Sequence, residues 1–139
     1  MPETRTKALA RLKMIAPQFA VPDVTVAAEY YRDVFGFKIL GYWLDAPVYA
    51  IVERDTVVIH FGKLDRGVAA APNITRREGS IDAYIWVDDV DALYAELQSR
   101  GAKIVERPTT QVYKSYEMIV EDHFGFRLGL RYECSRSLT

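Results

Sequence analysis

The amino-acid sequence predicts an α+β fold in which a unit of one strand, one helix and three strands occurs twice. The first observation is that four short segments recur in the same order at offsets of 65 to 69 residues. The second is that each set opens on a short apolar run, followed by an aspartate and a helical stripe. The matched pairs are Val21–Val24 with Val87–Val90, Phe35–Ile39 with Arg100–Ile104, Ile51–Glu53 with Ile119–Glu121, and Ile59–Phe61 with Leu128–Leu130.

Composition agrees with a small globular protein. The 139 residues are 50% apolar and 27% charged, which is enough for one domain built from two small units and excludes wholesale disorder. The single cysteine, Cys134, excludes an intrachain disulfide framework and a cysteine-rich zinc module. A pI of about 6.1 argues against nucleic acid as a partner. No apolar run is long enough for a membrane span or a signal peptide, so we expect a cytoplasmic protein with no membrane partner.

Charge is distributed unevenly along the chain. Residues 1–13 carry four cations and one glutamate, a net charge of +3, which leaves −4 for the remainder. We therefore expect a basic N-terminal extension over 1–13, either a frayed or short helical segment or, less simply, a targeting peptide. The domain is predicted over 14–132, as one repeat at 14–63 and another at 81–132. The linker at 64–80 is rich in turn-forming residues, and 133–139 is a tail.

In the first half, Phe19–Val21 is a short strand-like run that ends just before Asp23. Aspartate accepts hydrogen bonds from the free amides of a first helical turn, so Asp23 is a predicted N-cap. Gly36 is placed to end the helix in a left-handed conformation. Three strands are expected after it, including Val48–Val52 and Thr56–Phe61. Between cap and glycine, the apolar stripe comprises Val26, Ala27, Tyr30, Tyr31 and Val34.

The second half repeats this order. Ala83–Val87 predicts a strand, Asp89 an N-cap and Gly101 the end of the helix. Three strands follow, with candidates at Glu117–Val120 and Phe126–Tyr132. The stripe of this helix comprises Val90, Leu93, Tyr94 and Leu97.

These segments resemble the glyoxalase, bleomycin-resistance and extradiol-dioxygenase superfamily, the vicinal oxygen chelate fold. Glu29–Phe37 is similar to the helix ending of that family, and Tyr84–Leu97 is similar in particular to bleomycin-resistance proteins. Asp122–Phe126 resembles its Asp-Pro-x-Gly-Asn turn, without the proline and asparagine. The resemblance runs from about Met14 to Tyr132. It implies a cupped mixed sheet built from tandem βαβββ units, often completed into two clefts by a homodimer.

In metal-dependent members, the resemblance implies ligands at four equivalent positions, on the first and last strands of each half. These positions fall here on Ala16, His60, Asp82 and Gly129. Two of the four retain a donor, His60 and Asp82, whereas a catalytic site generally uses about three protein ligands. We therefore expect no cofactor. The alternative is one divalent metal ion on His60 and Asp82, with help from Gln18, Glu53 or a partner chain.

Alternation of side chains along each strand predicts what lines the cup. If Asp82 faces it, so do Tyr84 and Trp86, while Arg127 and Arg131 share the face of Gly129. Aromatic residues in neighbouring strands and loops would form the rim: Tyr42, Trp43, Tyr49, Tyr113 and Tyr116. A cleft of aromatic side chains with few charges suits a flat aromatic or heterocyclic ligand. The alternative interpretation is that these rings pack in a dimer interface.

The predicted function is metal-independent binding or sequestration of a small aromatic or drug-like molecule, as in bleomycin-resistance proteins. The candidate ligand-binding residues are His60, Asp82, Tyr84, Trp86, Trp43, Tyr49 and Arg127, and none is assigned a catalytic role. One alternative is a metal-dependent lyase, isomerase or dioxygenase of the same superfamily, in which His60 ligates the ion. A further alternative is a structural or regulatory dimer whose cleft is incidental.

Overall fold

The computed structural model describes residues 8–133. Cys134, most of the predicted tail and the first half of the basic extension lie outside the described residues. Two four-stranded sheets and two helices confirm the predicted tandem βαβββ architecture. No helix within residues 8–133 is long and apolar enough to cross a membrane.

The first half contains one helix and four strands. Its elements are β1 (Gln18–Val21), α1 (Val24–Asp33), β2 (Lys38–Trp43), β3 (Tyr49–Arg54) and β4 (Val57–Lys63). The strand order is β1-β4-β3-β2, with β1 parallel to β4 and the other pairs antiparallel. The side chain of Asp23 accepts hydrogen bonds from the backbone N–H groups of Thr25 and Val26, which confirms the predicted N-cap.

The second half repeats the pattern. Its elements are β5 (Ala83–Trp86), α2 (Val90–Ser99), β6 (Lys103–Thr110), β7 (Ser115–Glu121) and β8 (Arg127–Glu133), in the order β5-β8-β7-β6. Asp89 caps α2 through the N–H of Ala92. Gly36 and Gly101 follow the two helices with φ of +75° and +82°, the left-handed conformation predicted for both. Between the halves, the 64–80 segment contains a single 3₁₀ turn, Asn73–Thr75.

Each helix covers one face of its own sheet and leaves the other face uncovered. The buried side includes Tyr31 and Phe61 in the first half and Leu97 and Met118 in the second. Alternate residues of the same strands point to the opposite face, which we call the first concave face and the second concave face. Because the helices occupy only one side, the concave faces are the surfaces available for a ligand or a partner.

Contacts between the halves include a stacked aromatic pair and several hydrogen bonds. The rings of Phe19 and Phe126 stack with centroids 4.5 Å apart. The buried Tyr31 hydroxyl donates to Asp122 Oδ2 at 2.8 Å. At the surface, Arg54 makes two hydrogen bonds of 2.8 and 2.9 Å to the carboxylate of Glu96. These contacts fix one half against the other from within a single chain.

Candidate functional site

The second concave face carries a cationic side chain surrounded by aromatic rings. The guanidinium carbon of Arg131 lies 5.1 Å from the centroid of Tyr84, 5.0 Å from that of Trp86 and 5.5 Å from that of Tyr113. Such distances give favourable cation–π contacts. Register explains the cluster: Trp86 on β5 pairs directly with Arg131 on β8, and Tyr84 lies two residues earlier on the same face. We call these four residues the aromatic cluster.

Carboxylates hold Arg131 in place from beneath. Its Nε donates to Ser115 Oγ at 3.1 Å and lies 3.5 Å from Oε2 of the buried Glu117. Its Nη2 lies 3.4 Å from Glu133 Oε2. A guanidinium fixed at both ends loses little further freedom when a ligand arrives, so the cluster is preorganised.

Tyr113 is tied to the same network although it belongs to the β6–β7 turn. Its hydroxyl donates to Glu117 Oε1 at 2.6 Å. Desolvation, followed by the hydrogen bond and the negative charge of Glu117, raises the pKa of Tyr113 to about 12. Tyr113 therefore keeps its proton at neutral pH and stays a hydrogen-bond donor to the carboxylate.

At Gly129, the fourth family position, the ring of Tyr84 occupies the space that a side chain would need. Tyr84 pairs with Gly129, and a Cβ atom at Gly129 would lie 2.6 Å from the Tyr84 ring. Only a residue without a side chain leaves room for the ring at this point. The position that would carry a metal ligand in metal-dependent members is therefore used here to seat Tyr84.

The first concave face presents a chain of hydrogen bonds between side chains. Gln18 Nε2 donates to the Tyr49 hydroxyl at 2.8 Å, and that hydroxyl lies 2.8 Å from Nδ1 of His60. The Tyr49 hydroxyl therefore links the amide of Gln18 to the imidazole of His60. The Trp43 ring meets Tyr49 edge-on at 6.2 Å. The structure thus brings His60, Tyr49 and Trp43 together, with Gln18 as a fourth member.

Asp82 is engaged by the backbone. Its Oδ1 accepts from the N–H of Asn73 at 2.8 Å, and its Oδ2 accepts from the N–H of Arg127 at 2.9 Å. These bonds tie the 64–80 segment to the start of β8. The side chain of Arg127 is paired with Glu121 at 3.0 Å. Whether either residue contacts a ligand stays a prediction.

The residues at the four family positions do not fit a divalent metal. Ala16 precedes β1 and has no donor, Gly129 is covered by Tyr84, and both oxygens of Asp82 accept backbone hydrogen bonds. Only His60 remains, where about three side-chain donors are needed. Within residues 8–133, no three His, Cys, Asp or Glu side chains converge as a metal-binding group.

Sequence reasoning placed Tyr84, Trp86 and Arg131 on one face but missed the network beneath them. The expectation of few charges is wrong for the second concave face, where Glu117, Glu133 and Arg131 form ion pairs. The available signal was the alternation along β7: Met118 and Val120 face the helix, so Ser115 and Glu117 face the cup. A glutamate on that face, opposite an arginine, predicts an ion pair once the β7–β8 register is known.

Comparison with known proteins agrees with this architecture. A family profile described as Glyoxalase/Bleomycin resistance protein/Dioxygenase superfamily matches residues 11–130. A search of the curated proteins finds no match. Among solved structures, TioX from Micromonospora sp. ML1 is 18% identical with a TM-score of 0.68, the match covering 87% of this chain and 98% of TioX.

Two further structures are similar over nearly their whole lengths. UcmS2 is 16% identical with a TM-score of 0.70, over 88% of this chain and 98% of its own. A superfamily member from Sphaerobacter thermophilus DSM 20745 is 17% identical with a TM-score of 0.69, over 90% of this chain and all of its own. At these identities the likeness establishes the fold alone. Through the profile match, which spans most of its length, the chain belongs to the Glyoxalase/Bleomycin resistance protein/Dioxygenase superfamily.

Proposed function

We propose that this protein binds a small aromatic or drug-like molecule without a metal ion and sequesters it in the cytoplasm, as bleomycin-resistance proteins do. The observation that carries the proposal is the aromatic cluster. Tyr84, Trp86 and Tyr113 are all exposed, yet each is held against the fixed guanidinium of Arg131. Exposed rings with fixed orientations are surfaces on which a planar ligand stacks.

Burial of aromatic area supplies most of the affinity. Each ring that a ligand covers contributes about 25 cal/mol per Å² of apolar surface removed from water, before the cost of association. The guanidinium beneath the rings adds hydrogen-bond donors for polar atoms at the edge of the ligand. A flat heterocycle with carbonyl or amide groups at its margin satisfies both requirements.

A homodimer completes the cleft in this proposal. Both concave faces leave large apolar side chains exposed, among them Trp43 on the first and Trp86 on the second. Exposed apolar surface of this kind marks an interaction site. We therefore place the first concave face of one copy over the second concave face of its partner. His60 and Tyr49 of one copy then form the wall opposite the aromatic cluster of the other.

The two tryptophans make the binding test specific, because the chain has only two and each concave face has one. Calorimetry and fluorescence titration with bleomycin and a panel of flat aromatic antibiotics are done on the full chain. In the Trp43→Phe protein, ligand binding should quench the fluorescence of Trp86. The Trp86→Ala and Tyr84→Ala proteins should bind at least about tenfold more weakly, a loss of about 1.4 kcal/mol.

Tyr132→Ala is the matched control. Tyr132 is exposed on the same strand as Arg131 but follows the opposite alternation, so its removal should leave affinity unchanged. Two results would overturn the proposal. One is binding or turnover that appears only when a divalent metal ion is added. The other is that no member of the panel binds saturably while the protein is folded by circular dichroism.

A further inference from the structure

A cavity of about 400 Å³ lies between the two halves, on the helix side of the second sheet. The β3–β4 turn lines it from the first half, and α2 lines it from the second. We call this cavity the inter-half groove. Its volume falls in the range of sites that accept one small molecule.

Strand alternation separates the groove from the aromatic cluster. Ile85 on β5 pairs with Leu130 on β8, and both residues line the groove. Tyr84 and Arg131 are their neighbours on the same strands, so they point to the opposite face, where they form the cluster. Trp86 lies at the end of β5 and borders both. The groove and the second concave face are therefore on opposite sides of one sheet.

The interior of the groove is apolar. Phe35, Leu97 and Leu128 are buried along it, and Val57 and Leu93 are half-buried. Half-buried apolar side chains around an open cavity leave apolar surface in contact with water. A ligand that covers this surface gains about 25 cal/mol per Å² before the cost of association. The groove therefore favours a ligand with an apolar body.

The edge of the groove is acidic. Four of its lining residues are carboxylates, Asp55, Asp88, Asp89 and Glu96, whereas Arg54 is a cation. Arg54 makes two hydrogen bonds to Glu96, and Asp89 caps α2. Asp88 is exposed, and the side chain of Asp55 is 89% exposed, 4.0 Å from Arg54 Nε. The excess of carboxylates, two of them open to solvent, complements a positively charged group on the ligand.

We propose that the inter-half groove binds a small amphiphilic amine. Its apolar body lies between α2 and the β3–β4 turn, and its ammonium group lies at Asp55 and Asp88. An ammonium has three N–H donors and no acceptor, which suits a pair of carboxylates. Because these carboxylates are exposed, the ion pairs contribute modestly, and the apolar body supplies most of the affinity. The protein then has a second ligand site, chemically distinct from the aromatic cluster.

Three probes of nearly equal size test the role of charge: phenylbutylamine, phenylbutanol and phenylbutyrate, titrated by calorimetry into the full chain. We expect the amine to bind about fivefold more tightly than the alcohol and at least about tenfold more tightly than the acid. Asp55→Asn with Asp88→Asn should abolish the preference for the amine over the alcohol. Asp65→Asn with Glu78→Gln removes two exposed carboxylates outside the groove and should preserve it.

A second set of variants tests the location. Ala92 lines the groove on α2, whereas Ala95 is exposed on the same helix outside the groove. Ala92→Phe should weaken binding of the amine at least about tenfold, because the added ring occupies the cavity. Ala95→Phe should leave the affinity unchanged, and so should Tyr84→Ala. Circular dichroism establishes that each variant is folded.

Several results would overturn the proposal. One is that the amine does not bind saturably to the folded protein, or binds no more tightly than the alcohol. Another is that Ala92→Phe leaves amine binding intact, or that Tyr84→Ala removes it, which would place the amine on the aromatic cluster. A dimer that Ala92→Phe dissociates in the absence of ligand would show that a second copy covers the groove.

The exposed segment ahead of β1 is the remaining alternative occupant. Leu9, Leu12 and Ile15 are its large apolar residues, each more than nine-tenths exposed. If the amine binds only after all three are replaced by serine, that segment covers the groove and the proposal is overturned. None of these outcomes decides the proposed function, because the flat aromatic ligands are tested separately through Trp86→Ala and Tyr84→Ala.

Discussion

The two concave faces are built on the same backbone and differ almost completely in chemistry. At equivalent register positions, the first half pairs Gln18 with His60, whereas the second pairs Tyr84 with Gly129. The first face holds a chain of hydrogen bonds from Gln18 through Tyr49 to His60, and the second holds a guanidinium between aromatic rings and carboxylates. The repeat thus conserves the geometry of the sheet while the side chains on its open face are free to diverge.

The two faces also differ in how strongly the stability of the fold depends on their polar groups. The hydrogen bond from Gln18 to Tyr49 is exposed, so water can replace it. Glu117 is 3% exposed, and within residues 8–133 its Oε2 has the ion pair with Arg131 but no hydrogen bond. A buried charge that loses its partner cannot be hydrated by water instead, so the folded state is destabilised. Replacement of a polar side chain should therefore be costly on the second concave face and mild on the first.

The largest expected effect is that of Arg131→Met. It leaves Glu117 buried without its countercharge, so we expect the free energy of unfolding to fall by about 3 to 5 kcal/mol. Addition of Glu117→Gln should recover much of the loss. Tyr49→Phe is the matched change on the first face and should cost about 0.5 to 1.5 kcal/mol per hydrogen bond removed. Urea denaturation of the four proteins measures these values, and equal costs for Arg131→Met and Tyr49→Phe would contradict the comparison.

The next effect concerns the link between the halves. Burial raises the pKa of Asp122 from 3.8 to about 6, although hydrogen bonds from Tyr31 and from the backbone of Phe126 and Phe124 oppose the shift. The folded state then binds this proton more tightly than the unfolded state. Its contribution to stability is present below pH 4 and is lost as the pH rises through about 6, a change of about 3 kcal/mol.

Asp122→Asn isolates this contribution. Oδ1 of asparagine can still accept from Phe124 and Phe126, and its amide can donate to the Tyr31 hydroxyl, so the geometry is retained. Relative to the unaltered protein, the variant should gain stability as the pH rises from about 4 to about 6. The measurement is the difference between the two urea-unfolding free energies at each pH. A difference that is constant with pH would show that Asp122 does not titrate in this window.

The smallest of the three effects tests the close packing of the Tyr84 ring against Gly129. Gly129→Ala places a methyl group 2.6 Å from that ring and should cost about 1 to 3 kcal/mol. The cost should shrink in a Tyr84→Ala background. Gly62→Ala, in the first-half strand β4, meets only contacts of 3.7 Å and should cost less. Thermal unfolding of the unaltered protein, the three single variants and the double variant measures the coupling, and an undiminished cost without Tyr84 would contradict it.

The helices and strands could be predicted from the sequence because the signals that define them are local. Asp23 and Asp89 cap their own helices, and Gly36 and Gly101 follow them in the left-handed conformation. Alternation along β5 likewise placed Tyr84 and Trp86 on one face. These inferences need only a few consecutive residues, and a repeated order makes each half a check on the other.

The site could be predicted only in part, because its contacts depend on the register between strands that lie far apart in the sequence. The family position expected at Ala16 lies before β1, and it is Gln18 that stands opposite His60. The hydrogen bond between Tyr49 and His60 and the pairing of Glu117 with Arg131 cross neighbouring strands. A shift of one residue in either pairing would reverse which face each side chain occupies, and no local pattern fixes that shift.

The close packing of the Tyr84 ring over Gly129 also constrains the order in which substitutions at these two positions are tolerated. A histidine at 129 would bring back a donor at the fourth family position, but its Cβ would collide with the ring. Loss of the ring must therefore come first, and that step removes part of the aromatic cluster. The two positions are therefore coupled: a side chain at 129 is tolerated only after position 84 has lost its ring, and the present pair favours retention of the glycine.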